Sequence, residues 1–265
     1  MPEVSIGNVQ NEEAKTGVTV LLFDKKTGAV VGVDISGGGP ASRETPLTSP
    51  VTADNPINAI VLSGGSAYGL AASDGVMRCL EEHGIGFETG YAKVPLVCQS
   101  CIYDLGYGSA TVRPDSEMGY AACEKALAGG NPSSGSVGAG TGATVGKICG
   151  MERAMKSGLG MYAVQLGELR MAAVVAVNAL GDIFDSSTGR KIAGLRTEDG
   201  TAFSDSCEEL WKMGQRENLF TGNTTIGAVI TNGKFNKAQM NKIASMTRNA
   251  YARCINPVGT MADGD

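Results

Sequence analysis

A chain of 265 residues with 42% apolar content is long enough to bury a sizeable core in one domain, and no repeat or linker divides it. Its 22 Lys+Arg against 27 Asp+Glu leave a net charge of −5, with no general basic field to hold nucleic acid or an anionic membrane. The longest apolar stretch, Met171 to Val177, is too short to span a bilayer, and Met1-Pro2-Glu3-Val4 opens no secretory signal, so a cytoplasmic protein is expected.

In chain order, Thr19 to Phe23, the turn Asp24 to Gly28 and Ala29 to Val33 predict an opening hairpin. Ser36 to Pro50 reads as a loop, Ile57 to Leu62 as an apolar strand, and Ala67 to Leu80 as a helix. Tyr91 to Tyr107, with Pro95 inside it, reads as irregular, and Glu117 to Leu127 as a short helix ending at Gly129-Gly130. Asn131 to Gly146 is too glycine-dense for regular structure and reads as a functional loop. Gly160 to Gln165 and Arg170 to Asn178 predict neighbouring strands, the second apolar enough to be covered on both faces. A polar excursion from Leu180 to Gly222 holds a helical piece at Glu208 to Met213; a strand at Thr224 to Thr231 and a helix at Asn236 to Arg253 follow. Strands grouped with helices on either side make a layered α+β fold the expectation.

Two compositional facts restrict the chemistry. Seven cysteines, an odd number scattered through a chain without signal peptide, read as reduced thiols, and Cys98-Gln99-Ser100-Cys101 has no second pair with which to complete a zinc site. No metal and no cofactor is therefore expected. The single histidine, His83, sits where a helix is stopped by Gly84, which suits a structural role. Serine and cysteine hydrolases usually need an imidazole base beside the nucleophile. A hydrolase lacking one has another route, in which an N-terminal Thr or Ser uses its own α-amine as base once the chain has been cut before it. Gly222-Asn223-Thr224-Thr225 before an apolar strand fits that description, although Gly-Asn before a strand is also an ordinary turn. Gly138-Ala139-Gly140-Thr141-Gly142-Ala143 matches a dinucleotide fingerprint only on paper, lacking the preceding strand and the later acidic residue, and Gly146-Lys147-Ile148 fails as a Walker A ending.

Longer ordered motifs carry a resemblance over nearly the whole chain. They are Gly7-Asn8-Val9, Thr16-Gly17-Val18-Thr19-Val20, Gly37-Gly38-Gly39-Pro40 with Arg43-Glu44-Thr45, Val61 to Leu70, Ile102-Tyr103-Asp104-Leu105, Gly135 to Lys147, and Val177 to Asp182. This chain resembles the D-aminopeptidase/β-aminopeptidyl peptidase family (L-aminopeptidase/D-esterase), most closely its threonine-nucleophile branch of nylon-oligomer hydrolases. The resemblance implies an αββα sandwich of the N-terminal-nucleophile type with distinct connectivity, and a precursor that cuts itself between Asn223 and Thr224. The products would be a large chain, 1–223, and a small chain, 224–265, shortened at its C-terminus.

The resemblance also implies roles. Thr224 would be the nucleophile, Asn178 an oxyanion donor, and Tyr103, with Tyr107 as a competitor, a second donor or substrate contact. Lys147 would be a fixed cation lowering the pKa of the threonine amine. Asp263 and Asp265 would orient that amine and relay protons. Relatives usually continue past the acidic pair into a further strand and helix, so a sheet lacking that strand would be expected to hold Asp263 and Asp265 poorly. The expected activity is hydrolysis of short peptides or small amide oligomers, by a homo-oligomer of processed heterodimers without nucleic-acid or membrane partners. Acyl transfer to an amine, and phosphate-ligand binding by the Gly135 to Gly146 loop, are the alternatives.

Overall fold

The computed structural model of the chain describes residues 3–214 and 222–265. Its first sheet contains β1 (Ser5–Asn11), β2 (Thr16–Leu22), β3 (Ala59–Ser63), β4 (Val97–Cys101) and a two-residue strand, Ser42–Arg43, in that order. β2 is buried along its full length because it is paired on both sides, antiparallel to β1 and to β3. β3 and β4 run parallel, and such a pair requires a crossover connection. That crossover carries α1 (Ala72–Glu82), entered through a 3-10 turn at Ser66–Ala71. α2 (Ser116–Leu127) starts at Asp115, whose side chain accepts from the N–H of Met118 at 2.9 Å.

Both helices cover one face of this sheet, with Val76, Leu80 and Cys123 packed on Val18, Val20, Val61 and Val97. They meet at backbone distance: a Cβ on Gly75 would lie 1.7 Å from the Ser116 carbonyl oxygen, and one on Gly119 2.0 Å from that of Ala72. Mid-helix glycine costs about 1 kcal/mol in propensity, which this close crossing offsets through packing.

The opening hairpin differs from expectation. β2 turns back on β1, through a tight bend where Asn11 Oδ1 accepts from the N–H groups of Glu13 and Ala14 and Lys15 takes φ 58°. Of 29–33, only Ala29 pairs, with Ile57. Gly32 instead lies against the backbone of Met240 and Asn241, so docking on a distant helix overrides the local strand preference. Tyr91–Tyr107 likewise contains β4, since Pro95 precedes the strand rather than interrupting it.

A second sheet, β5 (Leu159–Leu166), β6 (Leu169–Asn178) and β7 (Thr224–Thr231), is antiparallel throughout in that order. Leu159, Val174, Ala176, Ile226, Ala228 and Ile230 pack against Leu21, Leu62 and Ile102, giving two sheets face to face with α1 and α2 outside the first. β6 buries one face only, because its outward Ala173, Val175 and Val177 are half-buried, contrary to the expected cover on both faces. The excursion after β6 carries α3 (Ser206–Met213); its residues 215–221 lie outside the described set. α4 (Lys237–Cys254) begins at a capping box of Asn236 and Gln239. The strand pieces Asp182–Phe184, Lys191–Ala193 and Ile255–Asn256 form a small sheet that brings the chain after α4 back beside the end of β6. No described helix is long and apolar enough to cross a membrane.

Candidate active site

The antiparallel register places Thr224, first residue of β7, directly opposite Asn178, last residue of β6. Both are buried, as is Asn223. The Thr224 hydroxyl donates to the carbonyl oxygen of Asn223, so Oγ lies against the peptide bond expected to be cut. That same carbonyl oxygen accepts the N–H of Gly264 at 2.8 Å. The glycine between the two aspartates thus aims a backbone donor at this carbonyl.

Asn178 is pinned at both ends of its amide. Its Oδ1 accepts from Thr144 N at 3.0 Å, and its Nδ2 donates to the backbone carbonyl of Tyr103 at 2.8 Å. Of the two tyrosines, Tyr103 is therefore the one joined to Asn178, while Tyr107 is 38% exposed and its ring lies 5.9 Å from Lys156 Nζ. Lys147 is buried, and its Nζ donates to the carbonyls of Asn178 at 2.7 Å and Gly222 at 3.1 Å, bridging the ends of both strands.

The acidic tail is held tightly. Asn223 and Asp263 form a parallel bridge, and the Asp263 carboxylate accepts from the N–H and hydroxyl of Thr260 at 2.9 and 2.8 Å. The Asp265 carboxylate accepts the N–H of Thr225. Gly37-Gly38-Gly39 cradles the tail: Gly39 N–H donates to the carbonyl of Asp263 at 3.1 Å, and the N–H groups of Ser36 and Gly37 to that of Asp265 at 2.9 and 3.0 Å. A Cβ on Gly37 would stand 2.5 Å from both the Asp263 carbonyl oxygen and the Asp265 nitrogen, so the chains approach this closely only with glycine there. The expectation of a poorly held acidic pair is corrected by this cradle, which holds both aspartates.

Burial sets the electrostatics. Desolvation pulls Lys147 down to about 7, against the carboxylates of Asp263, Asp265 and Asp104, which favour its charge. Burial and the three carboxylates thus act on its charge in opposite directions. Asp265 is pushed up to about 6, first by burial and then by Asp263, against the Thr225 N–H, Arg248 and Lys147. Asp104 is raised by burial despite accepting from Gly65 N and Thr16 Oγ1, each at 2.7 Å.

Sequence reasoning assigned no role to Asp104, to Thr144 or to the glycine cradle. Asp104 carried one signal, a carboxylate inside the apolar run Ile102 to Leu105. The Gly-rich segment, expected as a functional loop, is buried from Gly138 to Ile148. Its N–H groups are engaged internally, Ala139 with Thr19 Oγ1, Gly140 with Val137 O and Thr144 with Asn178 Oδ1. They form no anion cradle. The Cys98 and Cys101 thiols go to different partners, the carbonyl of Glu44 and the hydroxyl of Ser63.

Two stacked sheets with a threonine opening a strand beside an asparagine, a lysine and paired aspartates define an amide-bond hydrolase of the N-terminal-nucleophile fold class. Solved structures share this fold. The L-aminopeptidase D-Ala-esterase/amidase of Ochrobactrum anthropi superposes with a TM-score of 0.64 at 16% identity, over 99% of this chain and 69% of that one. A β-aminopeptidase from Burkholderia sp. gives 0.62 at 18%, over 100% and 69%. The family model of Peptidase family S58 matches residues 1–265, and the chain belongs to that family of peptide- and amide-bond hydrolases. An uncharacterized aminopeptidase of Mycobacterium leprae is 38% identical over 94% of this chain and 68% of its own length. The 6-aminohexanoate-oligomer endohydrolase of Kocuria sp. is 34% identical over 100% of this chain and 71% of its own.

Proposed function

We propose that this chain is a self-processing amide hydrolase with Thr224 as nucleophile. The observation that carries the reading is the Thr224 hydroxyl seated on the Asn223 carbonyl while Gly264 N–H donates to that carbonyl's oxygen at 2.8 Å. Attack by Oγ forms a C–O bond at Asn223. The developing oxyanion is met by the Gly264 N–H, the C–N bond breaks, and the hydroxyl proton ends on the released nitrogen. Water then hydrolyses the ester, leaving a carboxylate on Asn223 and a free α-amine and hydroxyl on Thr224. The products are the chains 1–223 and 224–265.

In the cut enzyme the Thr224 amine takes the proton as Oγ attacks a substrate carbonyl and returns it to the leaving amine, and water releases the acyl group. Asn178 has two amide hydrogens. One is held by Tyr103, and the reading gives the other to the substrate oxyanion. Asp263 and Asp265 orient the amine. Beside them, a cavity of about 800 Å³, lined by Thr225 and Asp265 but not by Thr224, runs between β7 and α4 past Val31, Met240 and Tyr251. The relatives' names, an aminopeptidase and a 6-aminohexanoate-oligomer endohydrolase, support trying N-terminal aminoacyl amides and short aminohexanoate-type oligomers as substrates. The same reading includes a cytoplasmic setting, no nucleic-acid or membrane partner, and assembly of processed halves into a homo-oligomer.

N-terminal sequencing of purified protein, without added protease, should find a fragment beginning at Thr224. Active protein whose only N-terminus is the original one overturns the mechanism. Turnover with and without an added amine acceptor separates hydrolysis from acyl transfer.

The lysine supplies a pH test. A protonated Lys147 beside the Thr224 amine disfavours a second positive charge and holds the amine below its reference pKa of about 7.7–8.0. kcat/KM should rise with pH through neutrality, and Lys147→Met should move the rising limb upward toward the reference value. A pH–rate profile unchanged in the variant would leave Lys147 as a purely structural bridge between Asn178 and Gly222.

A further inference from the structure

On the opposite side of the first sheet from Thr224, the end of α1 meets α2 in a group of three different metal-donor atoms. Cys79 Sγ, His83 Nε2 and a Glu124 carboxylate oxygen all lie within 4.8 Å of one another. Glu124 Oε1 is 3.3 Å from Cys79 Sγ and 3.6 Å from His83 Nε2. In a tetrahedral site with Zn–S of about 2.3 Å and Zn–N or Zn–O of about 2.0 Å, neighbouring donors stand roughly 3.3–3.6 Å apart. Two of the three edges are already at that spacing.

The histidine is prepared for the task. Its Nδ1 faces the Cys79 carbonyl at 2.8 Å, which holds the ring with Nε2 toward the Glu124 carboxylate. A cation seated between that nitrogen, the carboxylate and the Cys79 sulfur would find its donors already gathered. The surroundings favour one too: this is the carbonyl end of α1, flanked by Glu81 and Glu82, while the nearby Arg78 is paired with Glu117 at 2.9 Å.

We propose that Cys79, His83 and Glu124 form a binding site for a divalent transition cation of the zinc class, which ties the last turn of α1 to α2. The mixed S, N, O donor set selects such an ion over calcium or magnesium. On binding, the Cys79 thiol gives its proton to solvent and the sulfur enters as thiolate. In the protein without the ion, the neighbouring Cys123 thiol, burial and Glu124 all hold that thiol well above its usual range. Cys123 stands outside the group of three, so a water takes the fourth position beside the half-exposed imidazole. The site is remote from Thr224 and its role is structural.

The test is a titration of the chelator-stripped, reduced full chain with cobalt(II), read by near-ultraviolet sulfur-to-cobalt charge transfer, followed by displacement with zinc. One equivalent should saturate the band, and zinc should abolish it while raising Tm. Cys79→Ser should remove the band. Because Cys79 is in the core, the exposed partner gives an independent reading: His83→Asn should weaken cobalt binding by about 100-fold or more and cancel the zinc-dependent rise in Tm. No saturable band at one equivalent, the same band in Cys79→Ser, or unchanged affinity in His83→Asn each overturns the proposal.

Discussion

Thr224→Ala should yield a folded, uncut and inactive chain. Thr224 stands at the start of β7 with its backbone already paired to β6, so loss of one hydroxyl and one methyl leaves the strand register intact. The hydroxyl, however, serves twice in the proposed mechanism, against Asn223 and against substrate, and neither the amine nor the oxyanion donors can replace it. Intact mass should show a single chain, circular dichroism should be unchanged, and turnover should fall by on the order of 10^4-fold or more, the scale seen when a catalytic nucleophile is deleted. Thr224→Ser keeps the oxygen and should retain some processing and some turnover. An Ala variant that still cuts, or still turns over substrate, would move the nucleophile elsewhere in the chain.

Asn178→Ala should cost roughly 2.7–4 kcal/mol of transition-state stabilisation, or about 10^2–10^3 in kcat, as for deletion of one oxyanion donor. The loss should fall mainly on kcat, because the donor matters most when charge develops on the substrate oxygen. A second effect follows from its place in the structure. With Asn178 Oδ1 gone, the buried Thr144 N–H loses its acceptor, a penalty on the order of 1–3 kcal/mol in stability. Asn178→Asp restores an acceptor for Thr144 but turns its other carboxylate oxygen toward the Tyr103 carbonyl and puts negative charge where the oxyanion should form. It should therefore recover no kcat, and a variant with undiminished kcat would reduce Asn178 to a structural tie.

The elements that were legible share a feature: their signal is local. β7 is a short run of β-formers after a Gly-Asn turn, and its bounds agree with expectation. α4 begins where Asn236 and Gln239 form a capping box, and α1 stops at Gly84 with φ 66°. The α+β class followed from the grouping of such segments. β1 was not legible, since Ser-Ile-Gly-Asn-Val-Gln-Asn has little alternation and its half-buried residues depend on α2 and β2 for their cover. The valines of 29–33 looked like a strand but line the cavity facing α4, at a sequence distance no short window can sense.

The candidate residues divide in the same way. Asn178 and Lys147 could be named because they stand in long ordered motifs, and Thr224, Asp263 and Asp265 because Gly-Asn-Thr before a strand and Asp-Gly-Asp match what the resemblance implies; the fold gathers them around the Asn223–Thr224 peptide. Order along a chain says nothing about solvent, however. Burial, a property of the packed molecule, is what makes Lys147 titrate near 7 and Asp265 near 6. Gly37 against the acidic tail and Gly264 N–H on the Asn223 carbonyl are likewise contacts between distant segments. Residue type and spacing specified which groups this protein possesses and the strands and helices that carry them. Which groups meet, at what distance and with which charge, was set by two sheets closing over them, because contact and desolvation arise only when remote segments exclude water together.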